Sequence, residues 1–407
     1  MKKIIIVISS VLLCAFGASA YYFQKQAKEV GWLLDKDGVL TVSKDFELDS
    51  PCDFPWHSEE LSVKKIVVTD GVTKISSGEF SGCDNVTSVN ISASVKNIEV
   101  ASFNLFDNKI NSIIVDAKNP VYDSRDNCNA IIETEANKLI FGCNKTVIPN
   151  SVREIDNDAF ENCKGLESIT VPEGFTTLPL FRNCGLKSIT IPQSVTSVGD
   201  CTFEGCKNLT VIVIPESVTE IGESAFEGCV NLASVNIPKG VTKIADGLFN
   251  GCRSLKNIVI PEGVKEIGNA SFCECSNLAS VNIPKSVDAI GDKAFSGCSK
   301  LSEISIPEGV REIGELAFSD CNLKKITLPK SLEVIGEDAF CRCTEKMEVH
   351  AEHATKPAKF TANPFTYTDK ESGDRKEIRL TVYIPKGTIK EFKVAWGNNH
   401  KYVENVR

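Results

Sequence analysis

The sequence is poor in the residues and motifs on which most catalytic sites depend. It contains four histidines, two methionines and three tryptophans among 407 residues. It has no HExxH zinc motif, no glycine-rich phosphate-binding loop and no GxSxG nucleophile turn. Its closest cysteine pairs have the spacing Cys-x-Cys, whereas zinc and redox sites use Cys-x-x-Cys. These absences argue against an enzyme, and we expect no catalytic residues.

Metal and cofactor sites have equally little support. His350 and His353 could approach one metal ion if they lay on a helix, but the sequence offers no third ligand beside them. Asp35 and Asp37 resemble the start of a calcium loop, which here lacks the further ligands and the closing glutamate of an EF-hand. We therefore expect neither a metal ion nor a cofactor.

The chain also lacks an excess of positive charge. Its formal net charge is −9 at pH 7. A protein that binds nucleic acid by general electrostatic attraction would carry the opposite sign. We therefore expect no nucleic-acid partner.

An apolar run follows two lysines at the amino terminus and extends from residue 4 to residue 16. Ala18-Ser19-Ala20 then offers a small-x-small cleavage site, so residues 1–20 are typical of a secretory signal peptide. We expect cleavage after Ala20 and a secreted, periplasmic or cell-surface protein. An uncleaved membrane anchor is the alternative, because residues 4–23 contain few polar groups and are just long enough to span a bilayer.

Cysteine is abundant, with seventeen residues, and most of them follow a fixed repeat. Phenylalanine recurs every 23 residues, and each copy is followed three residues later by cysteine. A fixed period between 20 and 50 residues predicts a solenoid, because each unit can bury its apolar side only against its neighbours. Looser copies extend the series to eleven coils. The phenylalanine–cysteine ladder consists of Phe203, Phe226, Phe249, Phe272, Phe295, Phe318 and Cys206, Cys229, Cys252, Cys275, Cys298, Cys321.

Each repeat unit has the pattern of one coil. Val235-Asn236-Ile237 alternates inward, outward and inward, as a short strand should. Pro238 then ends that strand, because proline lacks the N–H group that a ladder needs. Residues 241–244 predict a second short strand, and residues 225–229 predict a turn of helix. We expect a solenoid of mostly short parallel β-strands with short helical or 3-10 turns, its coils spaced by about 4.8 Å.

The repeated pattern L-x-x-V-x-I-P-x-x-V-x-x-I-G-x-x-A-F-x-x-C resembles the leucine-rich repeats of the BspA-like bacterial surface antigens, over residues 30–407. The resemblance implies a leucine-rich-repeat solenoid, capped at both ends, in an exported protein of an anaerobic bacterium. Some members of that family adhere to host proteins or to other cells. It also implies an N-terminal cap over residues 21–69, repeats over 70–345 and a C-terminal cap over 346–407.

Two hairpins interrupt or precede the repeats. Residues 29–42 alternate around Asp37-Gly38, which predicts a tight turn in the N-terminal cap. Residues 116–148 break the period and predict an inserted hairpin with strands at 130–133 and 138–141.

The cysteines of the inserted hairpin leave two alternatives open. A turn centred between Glu135 and Ala136 would place Cys128 opposite Cys143, so that a cross-strand disulfide is conceivable. The alternative, which we favour, is that both thiols pack inward. For the ladder cysteines we expect buried free thiols, because parallel side chains on successive coils have the wrong dihedral angle for bridging.

The C-terminal segment resumes the strand and turn at residues 381–387. Thr388 is expected to N-cap a short helix that ends at Trp396. Ile389, Phe392 and Trp396 would share one face of this helix, so we expect Trp396 to pack in the core and not to stack on a sugar.

Charge alternates at the residue after each proline. Opposite charges on successive coils would lie side by side, which favours a role in keeping the register of the stack over ligand binding. Exposed ion pairs of this kind contribute only about 0 to 1 kcal/mol each. The stripe consists of Glu216, Lys239, Glu262, Lys285, Glu308 and Lys330.

The outward positions of the V-x-I strands are uncharged through most of the series, although 24% of the chain is charged. These positions are the middle residue of each strand and the residue two places before it. A solenoid's extended strand face is its usual contact surface, so we predict that these residues bind a partner. We call them the strand strip: Thr190, Val213, Asn236, Val259, Asn282, Ser305, Thr327, Ser188, Val211, Ser234, Asn257 and Ser280.

Two functional classes follow from these patterns. The first is an exported or cell-surface, non-enzymatic binding or adhesion scaffold that contacts a protein or glycan, since no enclosed pocket for a small molecule is implied. The alternative is a passive structural spacer or assembly scaffold in the cell envelope. We expect a monomer that touches a membrane only if its N-terminal segment stays as an anchor.

Overall fold

The computed structural model describes residues 31–46, 63–99, 102–103, 108–344, 347–351, 357–368, 375–377, 380–398 and 400–404. The chain divides into two compact units, Met1–Pro172 and Glu173–Arg407. Within each unit short parallel strands stack coil upon coil, so the expected β-solenoid is confirmed. The expected signal peptide and residues 47–62 of the expected N-terminal cap lie outside the described residues. The expected boundaries of caps and repeats stay a prediction.

In the first unit the strands are two to four residues long. They are β1 Trp32–Leu34, β2 Val39–Val42, β3 Lys65–Val68, β4 Lys74–Ile75, β5 Ser88–Ile91, β6 Asn97–Ile98, β7 Ser112–Val115, β8 Tyr122–Asp123, β9 Ile131–Glu133, β10 Lys138–Phe141, β11 Glu154–Ile155 and β12 Ser168–Thr170, with a short 3-10 turn at Arg125–Asn127. Strands β2, β3, β5 and β7 pair in parallel in that order. Their paired residues Leu40, Ile66, Val89 and Ile113 are buried and form the inner face of this sheet.

The N-terminal hairpin is present as expected, with β1 antiparallel to β2. One carboxylate oxygen of Asp35 accepts the backbone N–H groups of Asp37 and Val39, both at 2.9 Å. Gly38 has φ +81°, a conformation that glycine adopts without strain. The aspartate that resembled a calcium ligand therefore stabilises the turn itself.

The inserted hairpin is also confirmed, with β9 antiparallel to β10 and Leu139 opposite Ile132. The register then shifts, because Phe141 faces Ile131 instead of residue 130. This irregularity removes the alignment that would place Cys128 opposite Cys143. Both cysteines are fully buried and free, which agrees with the inward packing that we favoured.

The second unit contains strands of two to four residues and one α-helix. They are β13 Ser188–Thr190, β14 Ser197–Val198, β15 Val211–Ile212, β16 Glu220–Ile221, β17 Ser234–Val235, β18 Lys243–Ile244, β19 Asn257–Val259, β20 Glu266–Ile267, β21 Ser280–Asn282, β22 Ala289–Ile290, β23 Glu303–Ser305, β24 Glu312–Ile313, β25 Lys325–Thr327, β26 Val334–Ile335, β27 Glu348–His350, β28 Lys359–Phe360, β29 Thr366–Thr368, β30 Arg375–Glu377, β31 Thr381–Ile384, α1 Ile389–Trp396 and β32 Lys401–Glu404.

Successive strands of the second unit lie on two sides of each coil. The V-x-I strands form the pairs β15-β17 and β19-β21 and then the parallel sheet β23-β25-β27-β31-β32. The second strands form the parallel pair β14-β16 and then one parallel sheet, β18-β20-β22-β24-β26-β28. The pairing partners are 22 or 23 residues apart in most of these coils, as in Ile258↔Val281 and Ile304↔Ile326, so the sequence period equals one coil.

The third side of each coil is a run of turns, and the expected turn of helix at residues 225–229 is wrong. The N–H groups of Ser224, Phe226 and Gly228 donate to carbonyls of the next coil at 2.8–3.0 Å. The intervening N–H groups of Glu227 and Cys229 bond within the turn, to Ser224 and Phe226. Ser224 and Gly228 have positive φ, which breaks the helical sequence of dihedral angles.

Stacked phenylalanine rings fill the core. In the second unit Phe181, Phe203, Phe226, Phe249, Phe272, Phe295, Phe318, Phe340 and Phe365 form one series in which successive ring centroids are 5.2–5.8 Å apart. All of these side chains are fully buried, and so are the ladder cysteines beside them. In the first unit Phe80, Phe103 and Phe141 stack in the same way. The predicted ladder therefore forms the core of the second unit.

Among the described residues the coils number about fourteen, and the sequence-based count of eleven is too low. The additional coils come from segments that the sequence assigned to the caps. Strand β2 pairs in parallel with β3, and β31 and β32 continue the sheet beyond β27. Segments assigned to the caps thus extend the stack.

The C-terminal helix spans Ile389–Trp396 as expected, but its cap differs. The Thr388 hydroxyl donates to the Pro385 carbonyl at 2.8 Å and makes no hydrogen bond to the helix N-terminus. Trp396 is buried and its indole N–H donates to the Ala358 carbonyl at 3.0 Å, so the expected core role is confirmed. Within the part of the chain that the structure describes, no helix is both long and apolar enough to span a bilayer.

Candidate functional site

The strand strip lies on the outer face of the V-x-I strands, all within the second unit. Strand pairing places its members side by side: Val211 faces Ser234, Asn257 faces Ser280, and Val259 faces Asn282. Ten of the twelve strip residues are exposed, and Asn236 and Thr327 are half-buried. The structure therefore brings the strip together as a surface, while its binding role remains a prediction.

Exposed valines give the strip an apolar centre. Val213 and Val259 are 71% and 70% exposed, and neighbouring Val211 is 50% exposed. The residues around them carry hydroxyl or amide groups. Charge returns only where Glu303 pairs with Lys325 on the next coil.

Asn236 does not project freely, although the strand pattern assigned it an outward position. Its side-chain oxygen accepts the N–H of Ile214 at 2.8 Å, and its side-chain nitrogen donates to the Ile214 carbonyl at 2.7 Å. The side chain thus replaces the main-chain ladder at the end of β15 and β17. A substitution of Asn236 would therefore disturb the fold as well as the surface.

Sequence reasoning missed the continuation of the strip into the C-terminal segment. Thr327 pairs with His350, and His350 pairs with Tyr383. The His350 and Tyr383 rings stack with centroids 4.3 Å apart, and Glu348 lies within 3.5 Å of a polar atom of each. His350 is the last residue of strand β27, so it does not lie on the helix that a His350–His353 metal pair would need. His353 itself lies outside the described residues. The alternation of apolar Met347, Val349 and Ala351 with polar Glu348 and His350 could have revealed this continuation.

The first unit has an equivalent outer face that the sequence analysis did not include. Thr41, Val67, Asn90 and Ile114 are paired in series across β2, β3, β5 and β7. None is charged, and Ile114 is 54% exposed. The same in-and-out alternation in those four strands was the available signal.

Charge is concentrated on other sides of the coils. Lys74 pairs with Glu99 at 2.6 Å beside β4 and β6, and Lys243 pairs with Glu266 at 3.2 Å between β18 and β20. Both ion pairs lie on the side formed by the second strand of each coil. The uncharged character of the strip is therefore local to one side.

The alternating stripe after the prolines contacts its neighbours through the backbone. The Glu216 carboxylate accepts the Lys239 N–H at 3.3 Å, and the Glu308 carboxylate accepts the Lys330 N–H at 3.2 Å. These contacts tie successive coils together, which supports the register-keeping interpretation. They use the main chain of the lysines and not their ammonium groups.

The ladder thiols are buried, and burial favours the protonated form of Cys229, Cys252 and Cys275. Burial raises the pKa of Cys275 to about 12 and raises the pKa of Cys229 and Cys252 well above the ordinary thiol value. A protonated thiol is a poor nucleophile and a poor metal ligand. Across the described ranges, no group of three or more His, Cys, Asp or Glu side chains is arranged to hold a metal ion.

The repeat geometry agrees with the sequence profile that the chain matches. The profile of the BspA type leucine-rich repeat region, in six copies, matches residues 57–129, 130–249, 178–298 and 219–346. These matches together cover more than half of the chain. The chain belongs to the BspA type leucine-rich repeat family.

Solved structures similar to this BspA-type chain share less than a quarter of its residues. A leucine-rich cell surface protein of Faecalibacterium prausnitzii is 23% identical, with 81% of this chain and 93% of that chain covered and a TM-score of 0.45. A leucine-rich repeat protein of Eubacterium ventriosum is 21% identical, with 71% and 92% covered and a TM-score of 0.43. The pneumococcal vaccine antigen PcpA is 17% identical, with 92% and 96% covered and a TM-score of 0.50. At these identities the likeness concerns the fold alone. The chain has no match among curated proteins.

Proposed function

We propose that this protein is a binding or adhesion scaffold at the cell surface, which contacts protein or glycan partners through the strand strip. The observation that carries the proposal is the strip's exposed and uncharged surface in a chain that is 24% charged. Close spacing of about 4.8 Å between coils requires compact side chains there, but it does not require uncharged ones. The Glu–Lys stripe tolerates charge at the same spacing.

The apolar centre of the strip adds a second reason. Isolated exposed valines are ordinary on protein surfaces. Val211, Val213 and Val259 are not isolated, because they share one face of the solenoid. Since these side chains are exposed, they contribute little to the stability of the fold. Burial of these side chains against a partner would be favourable.

Family membership supports a place outside the cytoplasm. BspA-type proteins are typically associated with the cell surface, and one structural neighbour is named a leucine-rich cell surface protein. The amino-terminal pattern of residues 1–20 is that of an export signal. An enzymatic role is not proposed, because the strip holds no histidine, cysteine or carboxylate.

The test is a screen of the full chain against arrays of extracellular proteins and of glycans. We expect saturable binding of at least one array member. The double substitution Ser280→Arg and Asn282→Arg should weaken that binding about tenfold or more, because both residues are exposed near the strip's centre. Lys285→Ala, in the charged stripe, is the matched control and should leave binding unchanged.

Circular dichroism must show that all variants keep the parent's secondary structure and melting temperature. Absence of saturable binding to either array would favour the passive spacer. Binding that survives the double substitution would place the contact surface elsewhere on the molecule.

A further inference from the structure

The three exposed valines of the strand strip are arranged in two rows. Val211 and Val213 lie two residues apart, so both point outward from one coil. Val259 occupies the position equivalent to Val213 two repeats later. Because coils are spaced by about 4.8 Å, the two rows are about 10 Å apart.

The surface between these rows is lowered at Asn236. That side chain is half-buried and turned onto the Ile214 main chain, at 2.8 Å from its N–H and 2.7 Å from its carbonyl. Val213 and Val259 therefore stand above a shallow recess with Asn236 at its floor. The valine rows are about 10 Å apart from centre to centre, so the space left between their methyl groups suits one side chain of an extended polypeptide that lies across the coils.

The chemistry of the recess discriminates between partner classes. A sugar placed on it would bury hydroxyl groups against valine methyl groups, where they lack hydrogen-bond partners, and that burial is unfavourable. The strand strip contains no aromatic side chain on which a sugar ring could stack. A charged peptide would also lose hydration without gaining an ion pair, because the strip around these valines is uncharged.

We propose that Val211, Val213 and Val259 bind an extended, uncharged segment of a protein partner, one apolar side chain of which enters the recess over Asn236. This inference rests on the proposed function and narrows its partner from protein or glycan to protein. The surface and the segment are complementary because both are uncharged. The valines make apolar contacts at the centre, and hydroxyl and amide groups of the strand strip surround them at the rim.

The experiment selects binders for the full chain from a display library of random linear peptides, with a glycan array as the second probe. We expect the selected peptides to be rich in apolar residues and poor in charge. The double substitution Val213→Lys and Val259→Lys should weaken their binding about tenfold or more. Val394→Lys is the matched control, because Val394 is 81% exposed on α1 and lies outside the strip.

A milder pair, Val213→Ser and Val259→Ser, covers the case in which lysine disturbs folding, since serine occupies the equivalent position at Ser305. Selected peptides that are charged, or that bind both valine variants as well as the parent, would overturn the inference. Glycans bound through the strip in place of peptides would overturn it while the proposed function stands. Binding of neither probe would contradict both.

Discussion

At the scale of single residues, the phenylalanine carbonyl of one coil explains why the next coil carries a cysteine. The Phe226 carbonyl accepts the Cys229 N–H in its own turn at 3.2 Å and the Cys252 thiol of the next coil at 3.2 Å. A carbonyl oxygen has two lone pairs, and a second acceptor site left unused in the core is unfavourable. Cysteine supplies a weak donor in the volume of a small hydrophobe.

A buried hydroxyl at Ser271 lacks such a partner. Its side-chain oxygen has no hydrogen-bond partner among the described residues, whereas Thr202 at the equivalent position donates to Gly199 at 2.8 Å. Ser271→Ala should therefore stabilise the protein, by about 1 kcal/mol, because it removes an unsatisfied polar group. Thr202→Ala should cost about 1 kcal/mol. Urea denaturation of the two variants checks the opposite signs, and equal signs would refute this assignment.

One buried carboxyl group makes stability depend on pH. Burial raises the pKa of Glu79 from about 4.5 to about 7, with smaller contributions from the Asp45 and Glu99 carboxylates, although the Ser76 N–H acts in the opposite direction. Because the folded-state pKa is the higher one, the favourable contribution is complete below about pH 4.5 and is lost as the pH rises through about 7.

Glu79→Gln removes this titration while keeping the shape of the side chain. The variant's free energy of unfolding should fall less than the parent's between about pH 4.5 and 7. Urea denaturation at a series of pH values measures the difference. Parallel curves for parent and variant would show that Glu79 does not titrate in this range.

At the scale of elements, the phenylalanine stack carries the stability of each coil. Phe249 is fully buried between Phe226 and Phe272, with ring centroids 5.6 and 5.5 Å away. Phe249→Ala should cost about 3 to 5 kcal/mol, because the neighbouring coils cannot close the cavity completely. Lys239→Ala should cost less than about 1 kcal/mol, since Lys239 contacts Glu216 through its main-chain N–H, which the variant keeps. If denaturant titrations show a larger loss of stability for Lys239→Ala than for Phe249→Ala, the buried and exposed positions of the repeat are assigned wrongly.

The strands could be predicted from sequence because the pattern that produces them lies within a few neighbouring residues and recurs in each repeat. Val235 and Pro238 recur in equivalent form every 23 residues, so each copy confirms the others. Asp37-Gly38 likewise identifies a turn by itself, since glycine adopts the positive φ that the turn needs.

The turns and the helix cap could not be predicted from sequence. Their hydrogen bonds either join residues of different coils or go to one of several acceptors that lie nearby in the chain. The N–H of Phe226 bonds to Leu248, a partner on the next coil, and nothing in residues 225–229 distinguishes this from a helix. Thr388 has the side chain of an N-cap, yet its hydroxyl donates to Pro385. The register shift before Phe141 is another case, because its cause lies in the pairing of two strands.

At the scale of the whole molecule, the ladder replaces disulfides as the internal support of the stack. All described cysteines are free, and those of the ladder are buried. Thiol labelling of the denatured, unreduced protein should find every ladder cysteine reactive. In the folded protein the half-buried Cys201 and Cys273 should react faster than the ladder thiols, because burial keeps the reagent away from the ladder. Peptide mapping that finds bridges between repeats would contradict this.

The position of the strand strip could be predicted from sequence, but the degree to which each of its side chains is exposed could not. Alternation assigned Asn236 and Asn282 the same outward role, but Asn282 is exposed and Asn236 is half-buried. The difference arises because the Asn236 amide bonds to Ile214 on the previous coil. The first-unit face around Ile114 was overlooked because its repeats are less regular in sequence.

Hydroxyl-radical footprinting of the full chain, free and bound to a partner selected from the arrays or the peptide library, tests the strand strip most directly. Valine side chains report their own exposure in this measurement. We expect oxidation of Val211, Val213 and Val259 to fall on binding, while Val394 on α1 is oxidised equally in both states. Unchanged oxidation of the three strip valines, with protection at Val394 or on the charged sides of the coils, would show that the strip is not the contact surface.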